Sequence, residues 1–284
     1  MDNSPTSHKY ISQRLRLHYS EWGDADAPVL LLLHGLHDHS RTWDRVAQEF
    51  AINCRVIAPD LRGHGDSDWV LGSGYDYLDY LYDVHQLIRQ LGIGRVVLVG
   101  HSLGGAIAAQ FAAVYPEHVE RLVLIEALGI WEEGDTSAVH MRVRQWIEST
   151  HALAARHPRR YATMAQALAR MRQANPNLSD EQSDHLTRHG VLQNEDGTYS
   201  WKYDNYTYNF APGGFSRDDL TALWQRIQCP VLIINANDGL PFRIGHDDTL
   251  MFLADARVHV LSPAGHWVYH DRPDETVALI RKFL

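Results

Sequence analysis

Six short apolar runs, separated by stretches with helical periodicity, limit the folds open to this chain more than any other feature. Each run is rich in Val, Leu and Ile and does not alternate with polar residues. Strands covered by helices on both faces have this pattern, which is typical of parallel sheets. The segment Leu15–Trp22 alternates better and predicts an antiparallel edge strand. We therefore predict an α/β fold with a mostly parallel central sheet and helices on both faces. The runs are Val29–Leu33, Arg55–Ala58, Val96–Val99, Leu122–Ile125, Val231–Ile234 and Val258–Leu261.

The strand pattern stops between residues 127 and 217, where helical stretches replace it. The last of them opens with a capping box formed by Ser179 and Gln182. A helical segment between two strands of an α/β domain is typical of a lid over an active site. We predict a core formed by residues 1–126 and 218–284, with residues 127–217 inserted as a mainly helical lid. The predicted lid helices lie around residues 137–156, 159–174 and 180–189.

The pentad GHSLG, residues 100–104, follows a buried run and opens a helical stretch rich in Gly and Ala. A serine at such a strand-to-helix turn is held in a strained backbone conformation, with its hydroxyl above the sheet. The flanking glycines let neighbouring backbone approach, and the helix N-terminus places free N–H groups beside a developing oxyanion. The pattern predicts that Ser102 is a nucleophile.

Three further segments accompany the pentad, and each follows a predicted strand. They are His34–Leu36, Asp60–Ser67 and Gly265–His266. With these four motifs in this order, the chain resembles the α/β-hydrolase family over roughly residues 15–126 and 218–284. The resemblance implies an α/β-hydrolase fold. It also implies an oxyanion hole formed by the backbone N–H groups of Leu36 and Leu103.

A neutral serine needs a base that works near pH 7, and histidine is the natural group. His266 lies in a Gly-containing loop beyond the last apolar run, at the strand end where open α/β sheets place their sites. His270, four residues later, is the competitor. The position favours His266 as the base, with His270 as a neighbouring pocket group.

The histidine in turn needs a carboxylate that fixes its tautomer. Asp238 lies in a segment that resembles the family's Gly-x-x-Asp, with Asn235 in place of the glycine, and it gives the family order Ser, Asp, His. Glu126 is the alternative acid, because some related haloalkane dehalogenases place their acid after the equivalent strand. The sequence favours Asp238 and leaves Glu126 open.

The identity of the nucleophile limits the types of reaction to expect. Related haloalkane dehalogenases and epoxide hydrolases use an aspartate where this chain has Ser102, so the serine favours acyl transfer. We expect hydrolysis of a small, hydrophobic carboxylic ester through an acyl-enzyme, with Trp131, Trp146 and Trp201 of the lid lining the pocket. Hydrolysis of carbon–carbon bonds, lactones or thioesters, and perhydrolysis, are alternatives on the same triad. An alternative of another class is a ligand receptor or an inactive hydrolase scaffold.

The composition narrows the partners and the location. A formal charge of −9 gives no basic footprint, so we expect no nucleic-acid or membrane partner beside the small-molecule substrate. No apolar signal segment or membrane span is apparent, which predicts a cytoplasmic protein.

Two cysteines, Cys54 and Cys229, are too few for a disulfide framework and are expected to be free thiols. His34, His37 and His39 lack a ligand spacing, so the sequence predicts no metal and no cofactor.

Overall fold

A computed structural model describes residues 4–72, 74–129, 138–246 and 248–284. Its strands are β1 (Thr6–Ser12), β2 (Leu15–Trp22), β3 (Val29–Leu33), β4 (Arg55–Pro59), β5 (Val96–His101), β6 (Val119–Ile125), β7 (Val191–Gln193), β8 (Tyr199–Trp201), β9 (Val231–Asp238) and β10 (Ala256–Gly265). Eight of them form one sheet in the order β1-β2-β4-β3-β5-β6-β9-β10. In this sheet β2 pairs antiparallel with β1 and β4, and the other neighbours are parallel. The predicted mostly parallel sheet and antiparallel edge are confirmed.

The helices flank this sheet and fill the segment between β6 and β9. They are α1 (Asp44–Phe50), α2 (Tyr77–Gln90), α3 (Leu103–Val114), α4 (Val139–Ala154), α5 (Met164–Ala174), α6 (Asp180–Gly190), α7 (Arg217–Trp224), α8 (Val268–Asp271) and α9 (Pro273–Phe283). Short 3-10 turns occur at Ser40–Trp43, Pro116–His118, Asn205–Tyr208 and Asp248–Phe252. Among the described residues, no helix is long and apolar enough to cross a membrane.

Apolar side chains alternate between two cores, one on each face of the sheet. In β3, Leu31 and Leu33 belong to one core and Leu30 and Leu32 to the other. Helices α2, α3 and α7 contribute to the first core, and α1, α8 and α9 to the second. This coverage on both faces explains why the central strands are continuous apolar runs.

Helix α3 packs against the ends of the strands without space for side chains between them. A Cβ at Gly104 would overlap the carbonyl oxygens of Leu33 and His34, and one at Gly105 would overlap the Cβ of Ala127. The helix is therefore fixed in place directly behind Ser102, its N-cap residue.

The segment of residues 127–217 contains α4, α5, α6 and a two-stranded sheet of β7 and β8. Its capping box at Ser179 is present as predicted. Helix α5 begins at Met164 rather than near residue 159, because Tyr161 and Tyr199 exchange two backbone hydrogen bonds of 2.8 Å. That pairing holds Tyr161 in extended backbone before the helix can start. The division into a core and a lid stays a prediction.

Candidate active site

Three non-glycine residues with positive φ lie at or just beyond the carboxyl ends of β3, β5 and β6. They are His37 at 60°, Ser102 at 52° and Glu126 at 45°. Such conformations are uncommon outside glycine and cluster where a structure holds strain for a function. The three strands are parallel neighbours, so their ends meet at one edge of the sheet. We take this edge as the candidate active site.

Ser102 is fixed by its backbone rather than by its side chain. Its N–H donates to the carbonyl of Ile125 over 3.1 Å, and its own carbonyl accepts from Leu128 N–H over 3.2 Å. A Cβ at Gly100 would overlap the carbonyl oxygen of Gly104, which lies across the turn. The serine is therefore buried in a turn that only this glycine pair allows, at 6% exposure.

The loop after β3 passes directly beside this turn. A Cβ at Gly35 would lie 2.7 Å from His101 Nδ1 and 3.2 Å from the Cβ of Ser102. In the described ranges, no backbone hydrogen bond is recorded from the N–H of Leu36 or of Leu103. Among the residues of these ranges, both N–H groups are thus free of backbone acceptors.

His266 directly follows β10 and is held from two sides. Its Nδ1 lies 3.3 Å from Glu126 Oε2, and its carbonyl accepts a 2.9 Å hydrogen bond from His101 Nε2. Burial, together with the neighbouring His266, lowers the pKa of His101 well below its usual range, so His101 is neutral at pH 7. Within the described residues, no hydrogen bond of 3.5 Å or less joins Ser102 to His266. Such contacts are often long without substrate and tighten when it binds.

Glu126 carries a fully buried carboxylate that is surrounded by donors. Oε1 accepts from the Ala236 N–H at 2.7 Å, and Oε2 accepts from the Leu240 N–H at 3.1 Å. The Arg243 guanidinium completes the shell, with Nε 3.0 Å from Oε1. A buried charge is tolerated when it is paired and hydrogen-bonded in this way.

The structure departs from the sequence preference for Asp238 as the carboxylate beside His266. The Asp238 side chain is exposed, and in the described part of the chain it has no recorded hydrogen bond or ion pair. The cause is the path of the chain at the end of β9 and just beyond it, where the N–H groups of Ala236 and Leu240 both point to Glu126. Asp238 is thereby turned outward, and the alternative acid Glu126 occupies the position next to His266.

Two further residues, His270 and Arg243, concern the surroundings of His266. His270 does not face Glu126: its Nε2 lies 2.8 Å from Thr42 Oγ1, and burial lowers its pKa to about 3. Its role as a neighbouring pocket group stays a prediction. Arg243 was missed, because an arginine in a loop carries no signal of the buried carboxylate that it will meet.

The three tryptophans named from the sequence fall in different places. Trp131 lies outside the described residues. Trp146 donates to the carbonyl of Asn209 and lines a cavity of about 550 Å³ that includes neither Ser102 nor His266. Trp201 donates to Tyr161 Oη over 3.2 Å and packs near Tyr203, at 6.4 Å between ring centroids.

Trp201 is nevertheless connected to the candidate active site, because Tyr203 lies between it and His37 in a series of ring contacts. Tyr203 stacks on His37 with 3.8 Å between centroids and an interplanar angle of 3°, and Tyr208 contacts the His37 ring edge-on with 4.1 Å between centroids. Burial lowers the pKa of His37 to about 4, so the imidazole is neutral within this stack. The segment of residues 127–217 therefore packs on the residue that follows Leu36.

A second cavity, of about 180 Å³, borders His266 itself. It is lined by Ala174, Asn175, Pro176, Asn177, Leu178, Gly265, His266, Trp267 and Asp271. One wall comes from the turn after α5 and the other from the end of β10. The segment between β6 and β9 thus also reaches the histidine.

Comparisons with known proteins agree with this architecture. A family model described as "alpha/beta hydrolase fold" matches residues 28–273. An uncharacterized protein of Mycobacterium tuberculosis is 44% identical over 106 residues, which cover 37% of this chain and 31% of that protein. The chain thus spans about a third of the length of this first group of curated relatives.

Three further relatives have functional names. A "Serine hydrolase-like protein" of Danio rerio is 29% identical over 93% of this chain and 83% of its own length. "Epoxide hydrolase 4" of Mus musculus is 38% identical over 44% of this chain and 36% of its own. The solved "Thioesterase Domain From Curacin Biosynthetic Pathway" superposes with a TM-score of 0.84 and 27% identity, over 98% of this chain and 100% of that one. With the family model matched over most of its length, the chain belongs to the α/β-hydrolase fold family.

Proposed function

We propose that this α/β-hydrolase is a serine hydrolase that cleaves a small, hydrophobic carboxylic ester through an acyl-enzyme on Ser102. The observation that carries the proposal is the contact between His266 Nδ1 and the buried Glu126 carboxylate, beside a serine with φ of 52°. Relatives named epoxide hydrolase raise the question of another nucleophile. The serine at the centre of this turn supports acyl transfer instead.

In this mechanism Ser102 Oγ attacks the ester carbonyl carbon while His266 Nε2 takes the hydroxyl proton. Glu126 accepts the Nδ1–H bond, which fixes the tautomer and stabilises the imidazolium that forms. The N–H groups of Leu36 and Leu103 are the proposed donors to the oxyanion. His266 then protonates the leaving alkoxide, and a water molecule activated by the same nitrogen releases the acid and restores Ser102.

Arg243 and His101 are proposed as positioning residues for this machinery. Arg243 pairs with Oε1 of Glu126, while His266 Nδ1 contacts Oε2, so the ion pair helps to fix the carboxylate beside the histidine. His101 holds the backbone of His266 through its carbonyl. Neither group needs to touch substrate, because each fixes a residue that takes part in proton transfer.

We also propose that residues 127–217 act as a lid. Support comes from the stack of Tyr203 on His37 and from the turn after α5, which forms a wall of the cavity at His266. Pro176, Leu178 and Trp267 give this cavity apolar surface, which suits a hydrophobic acyl or alcohol group. Closure would exclude water from the developing charge.

A thioester is the second candidate substrate. The thioesterase domain that superposes over almost the whole of both chains supports it. Thioester cleavage uses the same attack and the same acyl-enzyme, with a thiolate leaving in place of an alkoxide.

The test is a panel of p-nitrophenyl acetate and butyrate, γ-butyrolactone and a simple acyl thioester, with the intact protein and with Ser102→Ala. We expect one substrate class to turn over and the quenched reaction to show one acyl group on the Ser102 peptide by mass spectrometry. Turnover retained in Ser102→Ala, or an acyl group on another peptide during turnover, would refute the proposal. Lack of turnover of any member with a properly folded chain would favour the receptor or scaffold alternative.

A further inference from the structure

A second arrangement of serine, histidine and carboxylate lies at the antiparallel edge of the sheet, outside the candidate active site. Ser7 Oγ on β1 is 2.8 Å from His18 Nε2 on β2. His18 Nδ1 is 2.7 Å from Oδ2 of Asp60, which directly follows β4. The order of contacts is that of a catalytic triad, from hydroxyl through imidazole to carboxylate.

The environment fixes the roles of these atoms. Burial raises the pKa of Asp60, but hydrogen bonds from His18 and from the N–H of Ser40 outweigh it and hold the pKa well below its usual range. The ionised carboxylate can only accept, so His18 Nδ1 donates to it. In the neutral imidazole Nε2 is then an acceptor, and it faces the hydroxyl of Ser7.

Ser7 is accessible to a reagent, whereas the histidine and the carboxylate behind it are buried, as a reactive serine requires. His18 and Asp60 are 4% and 1% exposed, whereas Ser7 is exposed to solvent. A recess of about 100 Å³ opens at these three residues and is also lined by Arg41 and His189. The hydroxyl therefore meets solvent while its base and acid are shielded.

A metal site is a poorer account of the same residues. His18, Asp60 and Asp66 have ligand atoms within 4.8 Å of one another. Both ring nitrogens of His18 already have partners, and Lys202 Nζ lies 2.7 Å from Asp66 Oδ1. A divalent cation would have to break one of these imidazole contacts and displace the ammonium group.

We propose that Ser7 is a second nucleophilic serine, which accepts the acyl group of a small activated ester. Ser7 Oγ forms a bond to the acyl carbon, and its proton passes to His18 Nε2. The bond from the acyl carbon to the leaving oxygen breaks, and that oxygen takes the proton from His18. The products are acyl-Ser7 and an alcohol, with no oxidant, metal or cofactor required. This site is separate from the function proposed for Ser102.

The same strand offers a matched control. Thr6 Oγ1 lies 2.8 Å from His8 Nε2, so this hydroxyl also contacts an imidazole. Within the described residues, His8 has no recorded carboxylate partner. Thr6→Ser provides a primary hydroxyl in this setting, without an acid behind the histidine.

The experiment is carried out on Ser102→Ala, which removes the proposed catalytic nucleophile. The protein is treated with p-nitrophenyl acetate or a small fluorophosphonate, and labelled peptides are located and timed by mass spectrometry. General-base assistance is worth about 10²–10⁴-fold, so we expect Ser7 to label at least about 10²-fold faster than in Ser102→Ala/His18→Gln. We expect position 6 in Ser102→Ala/Thr6→Ser to label no faster than other exposed serines.

Equal labelling rates at Ser7 with and without His18 would overturn the proposal and make the arrangement a structural tie between strands. Labelling of position 6 as fast as Ser7 would also overturn it, because the carboxylate would then add nothing. Thermal unfolding of Ser102→Ala/His18→Gln, compared with Ser102→Ala, reports whether the His18 substitution leaves the chain folded. The outcome at Ser7 does not depend on whether Ser102 is an esterase nucleophile.

Discussion

The Ser102 and Ser7 arrangements use the same three kinds of group in different backbone settings. Ser102 lies in a buried turn with φ of 52°, at the N-terminus of α3. Ser7 lies within the extended strand β1, paired with Ser20 of β2 and exposed to solvent. A histidine base can serve either hydroxyl, but only Ser102 lies at the N-terminus of a helix, where N–H groups and the helix dipole can stabilise an oxyanion. We therefore propose that Ser7 stops at the acyl-serine, whereas Ser102 also supports repeated turnover.

The carboxylates of the two arrangements, Glu126 and Asp60, also differ in their backbone settings. Glu126 has positive φ and is held by Arg243 as well as by backbone N–H groups. Asp60 accepts from the backbone N–H groups of Ser40 and Asp66, which order its own loop. Both carboxylates thus order the backbone around them, but only Glu126 of the two also has a positive φ, the kind of strain that clusters at functional sites.

The largest expected effect tests which of the two serines supports repeated ester hydrolysis. Ser102→Ala should lower kcat for p-nitrophenyl esters by about 10⁶, the scale of removing a triad serine. The residual rate should be the same in Ser102→Ala/Ser7→Ala, because acylation at Ser7 ends at the acyl-serine. Steady-state kinetics at equal enzyme concentration measures both. A further fall in the double variant would show that Ser7 also turns over and would remove the distinction between the sites.

The next effect concerns the acid of the Ser102 set. Glu126→Gln should lower kcat by about 10⁴, because an amide no longer holds the productive tautomer of His266 or stabilises its cation. Asp238→Asn is the matched control at the end of the neighbouring strand, and it should change kcat by no more than about twofold, as surface substitutions do. The reverse ranking of the two kcat values would restore Asp238 as the acid and contradict the geometry at His266.

A smaller effect tests how closely the Glu126 carboxylate must be placed. A Cβ at Gly239 would overlap that carboxylate, whereas one at Gly94 would meet open space. Gly239→Ala should lower kcat by about 10²-fold, since displacements of about 1 Å at a site have this cost. Gly94→Ala is the control, and thermal unfolding of both variants separates loss of activity from loss of fold. An unchanged kcat in Gly239→Ala would mean that Glu126 need not be fixed.

The sequence predicted the parts of the site that depend on local order. Strand, pentad and small-residue helix are contiguous, so the turn at Ser102 follows from neighbouring residues alone. The acid does not: Glu126 lies 140 positions from His266, and its placement depends on N–H groups at the end of β9 and just beyond it, more than 100 positions later. The Ser7 arrangement likewise depends on the register between β1 and β2 and on a loop 42 positions beyond His18. Such contacts are set by packing, and no spacing rule in the sequence records them.

The smallest expected effect is on the free energy of unfolding, and it concerns His39, which is near both serine arrangements. His39 follows the Leu36 segment and also lines the recess at His18, and its Nε2 donates to the carbonyl of Leu186 over 3.1 Å. Burial lowers its pKa to about 3, below the value near 6.5 expected in the unfolded chain. The unfolded chain therefore binds a proton that the folded chain does not. The contribution of His39 to the free energy of unfolding is complete above about pH 6.5 and is lost as pH falls towards 3.

His39→Gln keeps an N–H donor without the titration, and it should reduce the loss in the free energy of unfolding by roughly 1 kcal/mol per pH unit between pH 6 and pH 4. Urea unfolding of both proteins at pH 7.5, 6, 5 and 4 measures the two slopes. Parallel pH dependences would show that His39 is not held neutral, and would exclude the contact with α6 as an acid-sensitive link between the sites.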